Sequence, residues 1–157
     1  MRVVFLDVDG VVCTPLSLRL SRILRRPVER QCLDPAALFW LRRLVRRSGA
    51  RIVLSSSWRE ALTADDPYCR SILDYLYVCL ARNGTPVFDA APVFDYGGKG
   101  GEIAAWLEAH SCERYAVLDD HDCFADAPEV RAHWVLIPDS RGLRCREARA
   151  ALKMLTK

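Results

Sequence analysis

Val3-Val4-Phe5-Leu6-Asp7-Val8-Asp9-Gly10 lies next to the start of the chain. Its first four residues are a short, continuous apolar run rich in β-branched side chains, as in a parallel strand buried on both faces. The run ends at Asp7 and leads to Gly10, so the spacing predicts a strand that delivers a carboxylate to its carboxyl-terminal end. The same pattern recurs further along. Residues 51–54 form a second apolar strand ending in Ser55-Ser56-Ser57, residues 115–118 a third closing on Asp119-Asp120, and residues 134–137 a fourth before Pro138.

Helical signals fall between these strands. Asp34-Pro35 supplies an N-cap and first-turn pair, Leu38, Leu41, Leu44 and Val45 follow at helical spacing, and Gly49 ends the helix. Further helices are predicted over 68–82, 102–110 and 145–155. Residues 11–33 read as a loop, and the stretch carrying Val87-Phe88 and Val93-Phe94 as irregular. Strands alternating with helices predict an α/β fold, a mostly parallel sheet with helices on both faces, whose ligands bind at the carboxyl ends of the strands. Asp7, Ser55 and Asp119 would all point there.

The bulk properties fit that picture. A chain of 157 residues suits one domain, 1–157, able to bury a core unaided. With 51% hydrophobic and 27% charged residues it lies far from the composition of disordered chains. No run approaches the roughly 18 apolar residues of a membrane span, and the first apolar stretch contains acids, unlike a signal peptide. A soluble, cytoplasmic protein is expected, with no membrane partner. Seven scattered cysteines contain no CxxC pair, so reduced core thiols are expected rather than zinc or disulfides. Twenty of the 23 basic residues are arginines, a bias that makes any cluster of them a weak signal.

Asp7-Val8-Asp9, Ser55, Lys99 and Asp119-Asp120 form an ordered set with the tasks of phosphoryl transfer. A phosphate monoester brings about two negative charges to a group of carboxylates, so a divalent cation and a lysine are needed to admit it. Magnesium takes oxygen ligands, and Asp7 and Asp119 are the natural pair. Asp7 can then attack phosphorus to give an aspartyl-phosphate. Asp9 would protonate the leaving oxygen and later deprotonate water. The Ser55 hydroxyl, with backbone N–H groups near Ser56, and Lys99 would hold the phosphoryl oxygens.

On these motifs, VVFLDVDG, RIVLSSSW, Lys99 ahead of a helix, and YAVLDD, the chain resembles the haloacid dehalogenase (HAD) superfamily. LDVDGV, LSSSWR and GGEIAAWL before LDD are similar to the HAD domain of Swiss Army Knife RNA-repair proteins. The resemblance implies a Rossmann-like sheet and a phosphatase with Asp7 as nucleophile, Asp9 as acid/base, and Ser55, Ser56 and Lys99 on the phosphate. It also implies Mg2+ held among Asp7, Asp9, Asp119 and Asp120.

Neighbouring residues have plainer expectations. His121 reads as loop packing, Trp58 as core and Arg59 as helix surface, although Trp58 and Arg59 stand close enough to the serines to reach a leaving group. Asp122 could share the metal's outer shell, and Arg131 or Arg59 could replace Lys99 on the phosphate. Ten arginines between Arg19 and Arg51 read as a solvated basic face or as a track for a polynucleotide backbone.

The gaps between motifs leave no room for a full-sized cap domain, which predicts an open site suited to a nucleic-acid end or a nucleotide. Two other readings fit the motifs less well. A catalytically silent phosphate-binding or scaffold protein would not need Asp9, and a receiver domain would carry its acidic pair first and its lysine last. Oligomeric state stays open.

Overall fold

The computed structural model describes every residue of the chain except Ala64. Five strands form one parallel sheet: β1 (Arg2–Leu6), β2 (Arg51–Leu54), β3 (Val87–Ala90), β4 (Arg114–Asp119) and β5 (Trp134–Leu136), in the order β3-β2-β1-β4-β5. The helices are α1 (Pro15–Ile23), α2 (Pro35–Ser48), α3 (Pro67–Arg82), α4 (Lys99–Ala109), α5 (Pro128–Arg131) and α6 (Cys145–Thr156), with 3-10 turns at Val28–Arg30 and Ser57–Leu62. This is the expected α/β, Rossmann-like architecture.

Strand alternation divides the core in two. Val4, Leu6, Ile52, Leu54 and Leu118 face α2, α3 and α6 through Leu41, Leu44, Leu76, Leu80, Ala151 and Leu155. Val3, Phe5, Val53 and Val117 face α4 and the segment after β4 through Ile103, Trp106, Phe124 and Val130. The central strands β1, β2 and β4 are apolar on both sides because both sides are covered.

Two elements differ from expectation. Residues 15–23 form a helix where a loop was expected. Thr14 caps it with a capping box to Ser17 and Pro15 opens its first turn, the same cap-and-proline signal that marks α2. Residues 87–90 form β3, expected to be irregular. This edge strand pairs only with β2, its register shifts between Ile52 and Val53, and its partly exposed residues give no clean alternation. Among the described residues no full-sized cap covers the sheet. Among the described residues no helix is long and apolar enough to cross a membrane.

The ten arginines from Arg19 to Arg51 do not form one continuous surface. Arg19, Arg22, Arg25, Arg26 and Arg30 are exposed on α1 and just beyond it, the excursion that leaves the carboxyl end of β1. Arg42, Arg43, Arg46, Arg47 and Arg51 are exposed on the last half of α2 and the first residue of β2. Because α2 returns the chain to the amino end of the sheet, this second group lies at the opposite pole from Asp7.

Candidate active site

Sheet register assembles the site. Leu6, Leu54 and Leu118 are aligned across β2, β1 and β4, so the next residues, Ser55, Asp7 and Asp119, stand side by side at the carboxyl edge. Two further ladder bonds hold them there: Asp7 N–H donates to Leu118 O at 3.0 Å, and Ser55 N–H to Leu6 O at 3.0 Å. β1 and β4 flank the point where successive strands change direction of growth, the usual position of a ligand crevice in such sheets.

Lys99 is the first residue of α4, three residues earlier than the helix expected at Glu102. Its Nζ donates to Asp7 Oδ1 at 3.1 Å and to Asp119 Oδ2 at 2.6 Å. Burial pushes the Asp7 carboxyl up to about 6, Asp119 and Asp9 add to the rise, and Lys99 offsets only part of it. Burial works to lower the Lys99 pKa, but the two carboxylates outweigh it and hold the ammonium above its ordinary value.

The start of α4 depends on a residue with no expected role. Asp126 Oδ2 accepts from Gly98 N–H at 3.1 Å and Gly101 N–H at 3.0 Å, capping the turn that carries Lys99. Gly98 and Gly100 leave room for it, since a Cβ at either would lie within 3 Å of the Asp126 carboxylate. The partner lies 25 residues downstream of Gly101 and carries no local signal.

Ser55 is fully buried and its Oγ has no hydrogen-bond partner. An orphaned buried hydroxyl costs about 1–3 kcal/mol, a cost that a phosphoryl oxygen bonded to it would remove. The Ser56 hydroxyl accepts from Trp58 N–H at 3.5 Å as an N-cap.

Arg59 corrects an expectation. Its guanidinium is buried rather than on a helix surface. It donates to Ser55 O at 2.5 Å, Ser56 O at 2.7 Å and Ala91 O at 3.0 Å, and it pairs with the buried Glu102 of α4. It therefore ties the serine loop to the lysine helix and is not free to meet phosphate. Arg131, exposed, pairs with Asp122.

Trp58 is half-buried, and its Nε1–H donates to Asp9 Oδ2 at 2.7 Å. Asp9, exposed beyond the strand end, thus has its orientation set from the serine loop.

Asp119, Asp120 and His121 each offer a ligand atom within 4.8 Å of the others. His121 also departs from expectation. Its ring is exposed rather than packed, with Nδ1 2.7 Å from Asp120 Oδ1, and that bond raises its pKa. Gly10 has φ +68°, and a Cβ there would collide with the Asp120 side chain, so the glycine both makes the turn and admits the second acid. The donors fit a hard divalent cation. Asp7 and Asp119 share a single lysine, and Asp120 adds a further acid beside Asp119, a surplus of negative charge that would repel a phosphate monoester unless a cation offset it.

A family model described as the HAD domain in Swiss Army Knife RNA repair proteins matches residues 3–148. No curated protein matches the chain. Among solved structures the chain is similar to a D,D-heptose 1.7-bisphosphate phosphatase from B. bronchiseptica, complexed with magnesium and phosphate. The TM-score is 0.56 at 16% identity, with 96% of each chain covered.

Proposed function

The chain belongs to the family of HAD domains in Swiss Army Knife RNA repair proteins and is a HAD-type phosphatase, and from that premise we propose how its own residues cleave a phosphate monoester. The observation that carries the proposal is the Lys99 ammonium bonded to both Asp7 and Asp119, in register with the partnerless Ser55 hydroxyl.

Ser55, the Ser56 loop and Lys99 bind the phosphoryl oxygens and hold phosphorus in front of Asp7. An Asp7 oxygen attacks phosphorus as the bond to the leaving oxygen breaks, and Asp9 gives that oxygen its proton. Asp9 then takes a proton from water, whose oxygen displaces the Asp7 carboxylate and releases inorganic phosphate. Asp7, Asp119 and Asp120, with Asp9 two residues beyond Asp7, are the residues that would hold magnesium. When bound, the ion supplies positive charge against the carboxylates and the substrate phosphate.

Residues 1–157 act as one catalytic unit in this proposal. The substrate class is a phosphate on a nucleic-acid end or a nucleotide, supported by the family and by a site that no full-sized cap covers. Of the ten arginines from Arg19 to Arg51, those from Arg19 to Arg30 leave the sheet at the site's end, so a polynucleotide would track along α1 rather than α2.

The test compares wild type with Asp7→Asn on p-nitrophenyl phosphate, mononucleotides, and oligonucleotides phosphorylated at either end, with magnesium and with EDTA. Hydrolysis that needs magnesium and is lost in the variant is expected. Turnover in EDTA, or equal rates for both proteins, would sink the mechanism. Oligonucleotide cleavage that weakens steeply with salt supports the α1 track, and salt-insensitive cleavage removes it.

A further inference from the structure

Resting on that assignment of Asp9, we propose that a groove beside Trp58 is a nucleobase subsite, so that the substrate phosphate is carried by a nucleoside whose base lies in this groove. The groove holds about 350 Å³ and lies between the Ser57–Leu62 turn, the first turns of α3 and residues 28–31. Val28, Trp58, Ile72 and Leu73 form apolar walls, while Gln31 and Glu60 supply polar groups. Small-molecule sites of roughly 300–1,000 Å³ commonly have this mixture of apolar wall and few polar contacts.

Trp58 joins the groove to the chemistry. The same side chain that walls the groove donates its N–H to Asp9 Oδ2 at 2.7 Å. Asp9 must meet the oxygen that leaves phosphorus, so whatever that oxygen carries begins next to Trp58. Three leaving groups can be compared. A sugar or polyol would press many hydroxyls against apolar walls, each costing free energy if unpaired. An aliphatic chain would desolvate Gln31 and Glu60 with nothing in return. A base fits both parts, because its flat faces suit Trp58, Ile72 and Leu73 and its edge can donate to Glu60 and exchange hydrogen bonds with Gln31.

The experiment uses the full chain with magnesium and compares kcat/KM for guanosine and adenosine monophosphates, phosphorylated at the 3′ or 5′ position, with ribose 5-phosphate. At least one nucleotide should exceed ribose 5-phosphate by about tenfold or more, mainly through KM. Val28→Trp fills the groove from its half-exposed edge and should lower nucleotide kcat/KM about tenfold while leaving ribose 5-phosphate unchanged. Ile72→Trp repeats the block from α3 and guards against a folding defect in the first variant. Equal rates on nucleotides and ribose 5-phosphate, or variants that slow both alike, overturn the subsite. If the chain hydrolyses none of these compounds, calorimetric titration with unphosphorylated guanosine and adenosine judges the groove alone, and the Asp7 and Asp9 assignment rests on the oligonucleotide and p-nitrophenyl phosphate assays above. Saturable binding lost in Val28→Trp supports it, and absence of binding overturns it.

Discussion

Lys99 Nζ lies 2.6 Å from Asp119 Oδ2, so one ammonium from the start of α4 is shared between the ends of β1 and β4. Asp7, on its other side, still carries a carboxyl raised to about 6 against an ordinary 3.8. Between those two values the native state holds a proton that the unfolded chain has lost, so stability falls as pH rises through that window and stays lower above it. Asp7→Asn should therefore stabilise the metal-free protein by about 2 kcal/mol near pH 8 and by almost nothing near pH 4. Urea denaturation in EDTA at both pH values measures this. A variant no more stable than wild type near pH 8 contradicts it, and magnesium should stabilise wild type more than the variant.

The Arg59–Glu102 pair links the serine loop to the lysine helix inside the protein. Arg59→Met leaves a buried carboxylate without its cation and the Ser55 and Ala91 carbonyls without their guanidinium donor, so a loss of about 3–5 kcal/mol is expected. Adding Glu102→Gln should restore part of it, because the uncompensated charge disappears. Denaturant melts of both variants decide the matter, and a double variant no better than the single one refutes the pairing as the cause.

Asp126→Ala removes the cap on Gly98 and Gly101, with an expected cost of about 1 kcal/mol and a rise in KM for any phosphate substrate as Lys99 loses its anchored turn. Glycine replacements test the same geometry. A Cβ at Gly100 would lie 2.6 Å from Asp126 Oδ1, whereas one at Gly101 would lie 3.3 Å from Oδ2. Gly100→Ala should thus harm activity more than Gly101→Ala, and the reverse order in steady-state kinetics would count against a positioning role for Asp126.

Gly10→Ala forces an L-residue to φ +68° and drives its methyl into Asp120, with Asp120 Cβ only 2.8 Å away. Both effects act together, so a stability loss of roughly 1–3 kcal/mol is expected. Asp120 must also move. Magnesium titration followed by calorimetry should show weaker binding than wild type, and unchanged affinity would mean that Asp120 does not contribute to holding the ion.

Much of this site could be read from the chain because each acid or hydroxyl follows a run of buried apolar residues. Val3 to Leu6, Ile52 to Leu54 and Ala116 to Leu118 are buried throughout, as β-branched-rich runs this short are in strands covered on both faces. Whatever polar residue ends them must emerge at the sheet's edge. The miss at β3 follows from the same rule, since an edge strand with half-exposed residues has no such run. α1 differs, because Thr14-Pro15 carries the same cap-and-proline signal as Asp34-Pro35.

The sequence by itself determined that Asp7, Ser55 and Asp119 end parallel strands, because local apolar pattern is enough to define a buried strand. Only the tertiary structure decided what those residues meet. Strand register set Asp7 between Ser55 and Asp119, the packing of α4 brought Lys99 onto both acids, and burial of Arg59 turned an expected surface charge into a strut. The Lys99 and Glu102 contacts among these join residues 20 to 92 positions apart. No local pattern encodes them, because they exist only once the hydrophobic layers on both faces of the sheet have fixed where each strand end and helix start can lie.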